Sequence, residues 1–123
     1  MAGKKNWYIV DGYKPPLHEG GDPNYIGHEC IMILNTNTRD AHCVIDVYFS
    51  DRDPVLGIKY RAPAQRISAF YSNDKELFKD VELGEGVQYS LCIKSDVDVI
   101  VQYGRMDVNQ KNLAYIALLG HAE

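Results

Sequence analysis

HECIMILNTNTRDAHCVIDVYF, residues 28–49, holds two apolar runs separated by a polar connection. In the second run Ala41, Cys43, Ile45, Val47 and Phe49 share one parity, and His42, Val44, Asp46 and Tyr48 share the other. A period of two is the signature of a strand with one face in a core. The first run is apolar on both parities, with Cys30, Met32 and Leu34 on one side and Ile31 and Ile33 on the other. A strand with two apolar faces is central in its sheet or is covered by a partner subunit. Between the runs, NTNTRD is rich in residues that hydrogen-bond their own backbone, and it predicts a hairpin joining the two strands.

The same patterning extends outward. WYIV, residues 7–10, reads as a short strand, and DGYKPPLHEGGDPN after it reads as a long proline- and glycine-rich surface loop. SDRDPVLG is a turn, IKYRA a strand, and RISAFY a further strand begun after Pro63. SNDKELFKDVELGEG is a polar connection with room for one helical turn, closed by GEG as a hairpin turn. VQYSLCIKS alternates with Val87, Tyr89, Leu91 and Ile93 inward, and DVDVIVQYGRMD supplies another β-branched run. Residues 112–119 fit either a helix or a strand, and an all-β context selects the strand. Seven or eight short strands divided by turns predict one all-β domain over residues 1–123, a β-sandwich of jelly-roll type with its core over about 7–119.

Composition bounds the function. A chain of 123 residues with 46% hydrophobic and 24% charged residues can build one real core. The formal net charge of −4, with basic residues scattered, argues against broad nucleic-acid binding. No apolar run reaches the ~20 residues a membrane-crossing helix needs, and the start MAGKKNWYIVDGY lacks the apolar segment of a signal peptide. Cys30, Cys43 and Cys92 stand far apart in apolar runs, as reduced core thiols of a cytoplasmic protein do. The nine tyrosines suit strands and amphipathic surfaces.

Candidate chemistry is sparse. His28, Glu29 and His42 are metal-ligating types, but a hairpin across NTNTRD holds His28 several residue rises from His42. Neither H-E-x-x-H nor C-x-x-C occurs, so no metal site is expected within one subunit, and no cofactor. Ser50, Ser68 and Ser90 lie outside any G-x-S-x-G elbow, and nothing places Asp46 beside Asp96 or Asp107 as a working carboxylate pair. The expectation is a non-enzyme that binds. Trp7, Tyr8, Tyr48, Tyr60, Tyr89 and Tyr103 are candidate aromatic platforms, with Tyr89 assigned to the core by its parity. The binding or partner-contact residues expected are His28, Glu29, His42, Asp46, Tyr48, Arg66, Arg105 and Asp107, with a structural role, holding a loop or subunit edge by hydrogen bonds, as the other reading of His28, Glu29 and His42. A two-sided apolar strand further predicts a homo-oligomer built on sheet faces or edges.

A series of short motifs, in order, resembles the soluble sensory rhodopsin transducer family. They are Trp7 with DGYKPP, His28–Glu29, ILN ending at Asn35, Ala41–His42, YFSDRDPVLG from Tyr48, PAQR from Pro63 to Arg66, and SDVDVIVQYGRMD ending at Asp107. The resemblance spans Trp7 to Asp107. It implies a β-sandwich assembled as a ring-like tetramer, without enzymatic activity, in a cytoplasmic signalling or adaptor role. It also implies a membrane photoreceptor or another signalling protein as partner in some members, and DNA or small ligands in others. The sandwich is similar to carbohydrate-binding folds, so a small-ligand or carbohydrate-binding module is the alternative reading. ISAFYSND, after PAQR, is less basic than family members can be, which weighs against nucleic acid here.

Overall fold

The computed structural model describes residues 2–14, 28–72, 74–78, 81, 86–107 and 114–123. Among them are eight strands: β1 (Lys4–Tyr13), β2 (His28–Asn35), β3 (Ala41–Phe49), β4 (Val55–Ala62), β5 (Arg66–Tyr71), β6 (Gln88–Asp107), β7 (Ala114–Leu119) and β8 (His121–Ala122). The fold is all-β and sandwich-like, as expected. Its organising element is β6, whose 20 residues serve two sheets. The first half of β6 pairs antiparallel with β3 on one side and β1 on the other, in the order β4-β3-β6-β1-β8. Its second half lies between β2 and β7, and β5 completes that sheet beyond β2. We call these sheet A and sheet B.

Two expectations are corrected by this strand. VQYSLCIKS and DVDVIVQYGRMD are one continuous strand rather than two, because Ser95 to Asp98 contains neither glycine nor proline to interrupt it. The predicted β2–β3 hairpin does not form either. Instead β2 pairs with β5 and β6 in sheet B, and β3 pairs with β4 and β6 in sheet A. NTNTRD is therefore a crossover between sheets. Its polar side chains do bond backbone, but much of that backbone belongs to distant strands. Asn35, fully buried, donates from Nδ2 to the carbonyls of Arg39 at 3.0 Å and Ala62 at 3.1 Å, and its Oδ1 accepts from the Asn37 backbone N–H. Asn37 donates onward from Nδ2 to the Asp98 carbonyl at 2.7 Å, and its own carbonyl accepts from the Gln65 N–H.

The core lies between the sheets. On β3 the inward set Ala41, Cys43, Ile45 and Val47 is buried as its alternation requires, with Phe49 half-buried against it. Tyr89, Leu91, Ile93, Val97, Val99 and Val101 continue the inward parity of β6 through both halves. From sheet B, Ile31, Ile33 and Phe70 meet them. The first strand is longer than WYIV and runs through Asp11–Gly12–Tyr13; of the predicted loop, residues 15–27 lie outside the described residues. Trp7 is buried, and its indole N–H donates to the carbonyls of Lys4 and Val99, both at 3.0 Å, which fastens β1 where β6 passes between sheets. The one helical turn expected after β5 occurs as a single Phe78 N–H to Asp74 carbonyl bond of 3.0 Å, with Asp74 Oδ1 capping Glu76 and Leu77. Gly84 and Glu85 of the GEG turn lie outside the described residues. Residues 114–119 are a strand, as the all-β context predicts.

The outer face of sheet B is the unusual one. The register aligns Tyr71, Cys30, Gly104 and Ala117 in one row across the four strands. The next row is Ala69, Met32, Gln102 and Leu119, followed by Ile67, Leu34 and Ile100. Gln102 is the single polar residue in these rows.

Asn35 makes the crossover testable. Asn35→Ala removes both Nδ2 bonds and leaves the Ala62 carbonyl buried without its donor, a loss of about 1–3 kcal/mol. Urea unfolding of the variant should show a lower midpoint with an unchanged slope; an unchanged midpoint would mean the strap is not held by this side chain.

Candidate functional site

The eight predicted site residues fall into three places. His28, Glu29, Arg105 and Asp107 gather where β2 begins and β6 ends. His42, Asp46 and Tyr48 lie on the outer face of sheet A. Arg66 stands apart at the start of β5, beside Asn35 in register and at the opposite end of β2 from His28. It is exposed and bonds the Gln65 carbonyl.

Glu29 is not at the surface: its exposure is 0%. A carboxylate can be buried only where donors replace its water, and three do. The Tyr89 hydroxyl donates to Oε1 at 2.8 Å, the Tyr13 backbone N–H donates to Oε2 at 2.7 Å, and the Tyr103 hydroxyl also donates to Oε2. Burial pushes the Glu29 carboxyl above its ordinary range, and the three hydrogen bonds and the nearby Arg105 charge oppose that rise. Burial and the facing carboxylate also push both phenols up, so each tyrosine stays a donor. The backbone of β1 is shaped to admit this. A Cβ on Gly12 would sit 2.6 Å from the Tyr89 ring, so only glycine lets the ring pass to Glu29. Arg105, paired with Glu29 in register, holds its guanidinium 5.7 Å from the centre of the Tyr13 ring. His28 points to the outer face, where its ring meets Tyr71 edge-on at 5.3 Å. Asp107 is the last residue of β6, opposite Ala114.

Of the two roles foreseen for Glu29, structural or partner-contacting, the structure shows hydrogen bonding inside the fold rather than at a loop or subunit edge: it bonds β1 and both halves of β6. The sequence signals were present in DGY and in the two tyrosines, but Tyr89 and Tyr103 read as core filler and aromatic platform, and nothing in spacing joins them to Glu29. Trp7, Tyr89 and Tyr103 are core residues, so the exposed part of the expected aromatic set reduces mainly to Tyr48, with Tyr8 and Tyr60 half-buried.

On sheet A the alternation of β3 presents His42, Val44, Asp46 and Tyr48 outward. Asp46 occupies the irregularity in the β3–β4 register between Ile45 and Val47. There its Oδ1 accepts from the Gly57 N–H at 2.9 Å and its Oδ2 from Lys94 Nζ at 3.3 Å, leaving it buried although it faces outward. The Asp46 carboxylate raises the Lys94 ammonium above its usual range. His42 is exposed, and its backbone N–H donates to Asp96 Oδ1 at 2.8 Å. Asp96 also faces Arg39, and neither Asp96 nor Asp107 joins Asp46 as a carboxylate pair. His42 and Tyr60 border a shallow hollow with Lys59 and Arg61, whereas Tyr48 borders another with Val10 and Ser90. His28 and His42 thus sit on the outer faces of different sheets; the hairpin distance is not what separates them. Among the described residues no group of three or more His, Cys, Asp or Glu side chains could hold a metal ion. The three cysteines are free and buried, and burial pushes each thiol up, away from the thiolate that nucleophilic chemistry needs.

The raised carboxyl of Glu29 has a definite sign in stability. A folded-state pKa above the unfolded value of 4.5 means the folded protein holds the proton longer, so stability falls as pH rises from 4.5 through the folded pKa and then levels. Glu29→Gln lacks this component. Urea midpoints of both proteins across about pH 4 to 8 should show the wild type losing ground to the variant as pH rises through that window. A pH-independent difference would mean that Glu29 ionises in the fold as it does in the open chain.

The family described as ASRT, Anabaena sensory rhodopsin transducer, matches residues 2–122. Among solved structures, the Anabaena sensory rhodopsin transducer is 34% identical, with a TM-score of 0.71 over 84% of this chain and 88% of that one. The crystal structure of Thermotoga maritima 1070 superposes with a TM-score of 0.84 at 24% identity, covering 100% of this chain and 97% of that chain, and shows the shared fold. No curated protein sequence matches. No helix among the described residues is long and apolar enough to cross a membrane. With a match running from residue 2 to residue 122, the chain belongs to the Anabaena sensory rhodopsin transducer family and has the family's non-catalytic signalling or adaptor role.

Proposed function

We propose that this protein is a cytoplasmic, homo-oligomeric adaptor, a tetramer by the family resemblance, and that it takes its signalling partner on the outer face of sheet A. The partner class is a membrane photoreceptor of the sensory rhodopsin type, the kind of protein named in the solved relative. The observation that carries the choice of face is the mixture of groups that β3 and its neighbours present there. Tyr48 is exposed beside the pair of buried Asp46 with exposed Lys94, with His42 exposed on the same strand and His121 tilted against Tyr8 across the sheet. A contact surface of this kind needs a few aromatic anchors within polar groups that already have partners. The residues of the Glu29 cluster serve this role indirectly, by holding the strand framework. His28, Arg66, Arg105 and Asp107 lie off this face, so the reading places the contact on His42, Asp46 and Tyr48.

Titration against a sensory rhodopsin in lipid nanodiscs tests the proposal, read by calorimetry and by photocycle kinetics. Tyr48→Ala should weaken binding by about tenfold, the loss of one well-placed anchor. Retained binding by Tyr48→Ala and His42→Ala together would move the contact off sheet A. If a small sugar panel binds and rhodopsin does not, the ligand-binding alternative replaces the adaptor reading.

A further inference from the structure

The outer face of sheet A has a cationic corner, in a chain whose net charge is −4. β4 is the edge of that sheet, and its exposed Lys59 and Arg61 share the outward parity, with Ile58 and Tyr60 packed against the core. The register sets Arg61 beside His42 in one row, and Lys59, Val44 and Lys94 side by side in the next. Two lysines thus flank Val44, two strand spacings or roughly 10 Å apart. Val44 is 37% exposed between them. His42, Val44, Lys59, Tyr60 and Arg61 border an open hollow of about 460 Å³ whose floor is largely apolar. These cations are held differently. Lys94 Nζ is engaged by buried Asp46 at 3.3 Å, and Arg39 faces Asp96 at 3.4 Å. Arg61 donates from Nη1 to Asp40 at 2.7 Å, and Asp40 is itself fixed by the Ala64 N–H at 2.9 Å. A guanidinium carries several donors in one plane, so this bond orients the group without exhausting it. Lys59 has no carboxylate partner among the described residues. The surface beside it is open: a Cβ on Gly57, the next outward position of β4, would meet nothing within 4 Å.

We infer that this corner binds an acidic segment of the signalling partner: an Asp or Glu carboxylate set between Lys59 and Arg61, with an adjoining aliphatic side chain on Val44. The inference rests on the adaptor reading of sheet A and names the chemistry the partner brings to it. Charge complementarity selects the occupant. One carboxylate is matched by one unpaired ammonium and an oriented guanidinium fork. A nucleic acid needs a run of cations along its phosphates, whereas Asp40, Asp46 and Asp96 are interleaved here with Arg61, Lys94 and Arg39. An anionic bilayer meets the same interruption and the opposing net charge of −4. The exposed Val44 offers apolar contact that an inorganic anion cannot use, and a peptide side chain can.

Two measurements test the site, the first without any partner protein. The isotope-labelled chain is titrated with a short capped peptide alternating leucine and glutamate, with its glutamine counterpart and with a short DNA duplex, and backbone amide shifts are followed. The glutamate peptide should shift the amides of Val44, Lys59 and Arg61 and bind about fivefold more tightly than the glutamine peptide, the increment of one partly exposed ion pair. Lys59→Glu, its folding checked by circular dichroism, should raise the Kd of the glutamate peptide about tenfold, and Lys59→Met by less. No shift at these amides, equal affinity for the two peptides, an unchanged Kd in folded Lys59→Glu, or stronger shifts there with the DNA duplex would overturn the site. The second measurement uses a sensory rhodopsin in nanodiscs. Lys59→Glu should weaken its binding about tenfold, and exchanging one acidic residue on the rhodopsin's cytoplasmic face for lysine should restore it. Equal rhodopsin binding by the wild type and Lys59→Glu, with Tyr48→Ala losing it, would overturn the carboxylate site and keep the adaptor reading. Selective peptide binding without any rhodopsin binding would keep the site and overturn that reading.

Discussion

One buried carboxylate holds the two sheets to a common frame. Because β6 runs through both, a sandwich of this design must fix the angle at which one half of the strand leaves the other. Glu29 reaches both halves, bonding Tyr89 in the part that serves sheet A and Tyr103 in the part that serves sheet B. Its third donor, the Tyr13 N–H, brings in the end of β1. A neutral residue of the same volume would fill the space but could not accept three donors converging on two oxygens. Burying an acid is costly, and the raised pKa records that cost; the geometric return is that three chain segments must be in register before the charge is satisfied. The aliphatic core is non-directional and cannot impose this by itself.

How much of this was legible in the sequence depends on the distance over which each signal acts. The period-two pattern of Ala41 to Phe49 is local and chooses its own inner face, so β3 was readable residue by residue. The same holds for the strand at 114–119, once an all-β context decides against a helix. Partner choice is not local. Two alternating runs joined by six polar residues look alike whether they pair with each other or each with a third strand. The decisive information, that Asn35 and Asn37 bond carbonyls of Ala62 and Asp98, lies at sequence separations that no pattern displays. The continuity of β6 was hidden for the opposite reason. Lys94 to Asp98 reads as polar punctuation, whereas in the fold Lys94 and Asp96 face solvent while Ser95 and Val97 keep the inward parity.

The candidate residues divide along the same line. His42, Asp46 and Tyr48 were correctly read as facing away from the core because alternation alone determines it, although Asp46 is covered there by Lys94. Glu29 has the core-facing parity of Ile31 and Ile33, but its charge pointed to an edge or a partner rather than to the core. Charge predicts exposure only when no donors are available inside, and a chain with nine tyrosines has donors to spare.

Set side by side, the two outer faces of the sandwich differ more than its two inner ones. Sheet A carries ion pairs, histidines and tyrosines on strands whose bulge and glycine are fixed by Asp46. Sheet B carries mainly aliphatic and aromatic residues, with Gln102 and, in the end row, His28 among them. Both descend from β6, whose outward residues change from Ser90, Cys92, Lys94 and Asp96 to Ile100, Gln102, Gly104 and Met106 as it crosses from one sheet to the other. The change of outward character coincides with the change of sheet, at the point where the Trp7 indole binds the Val99 carbonyl. A polar face tolerates a transient partner because its groups are satisfied with or without one. An apolar face of several hundred square ångströms has no such neutral state in water and favours permanent cover.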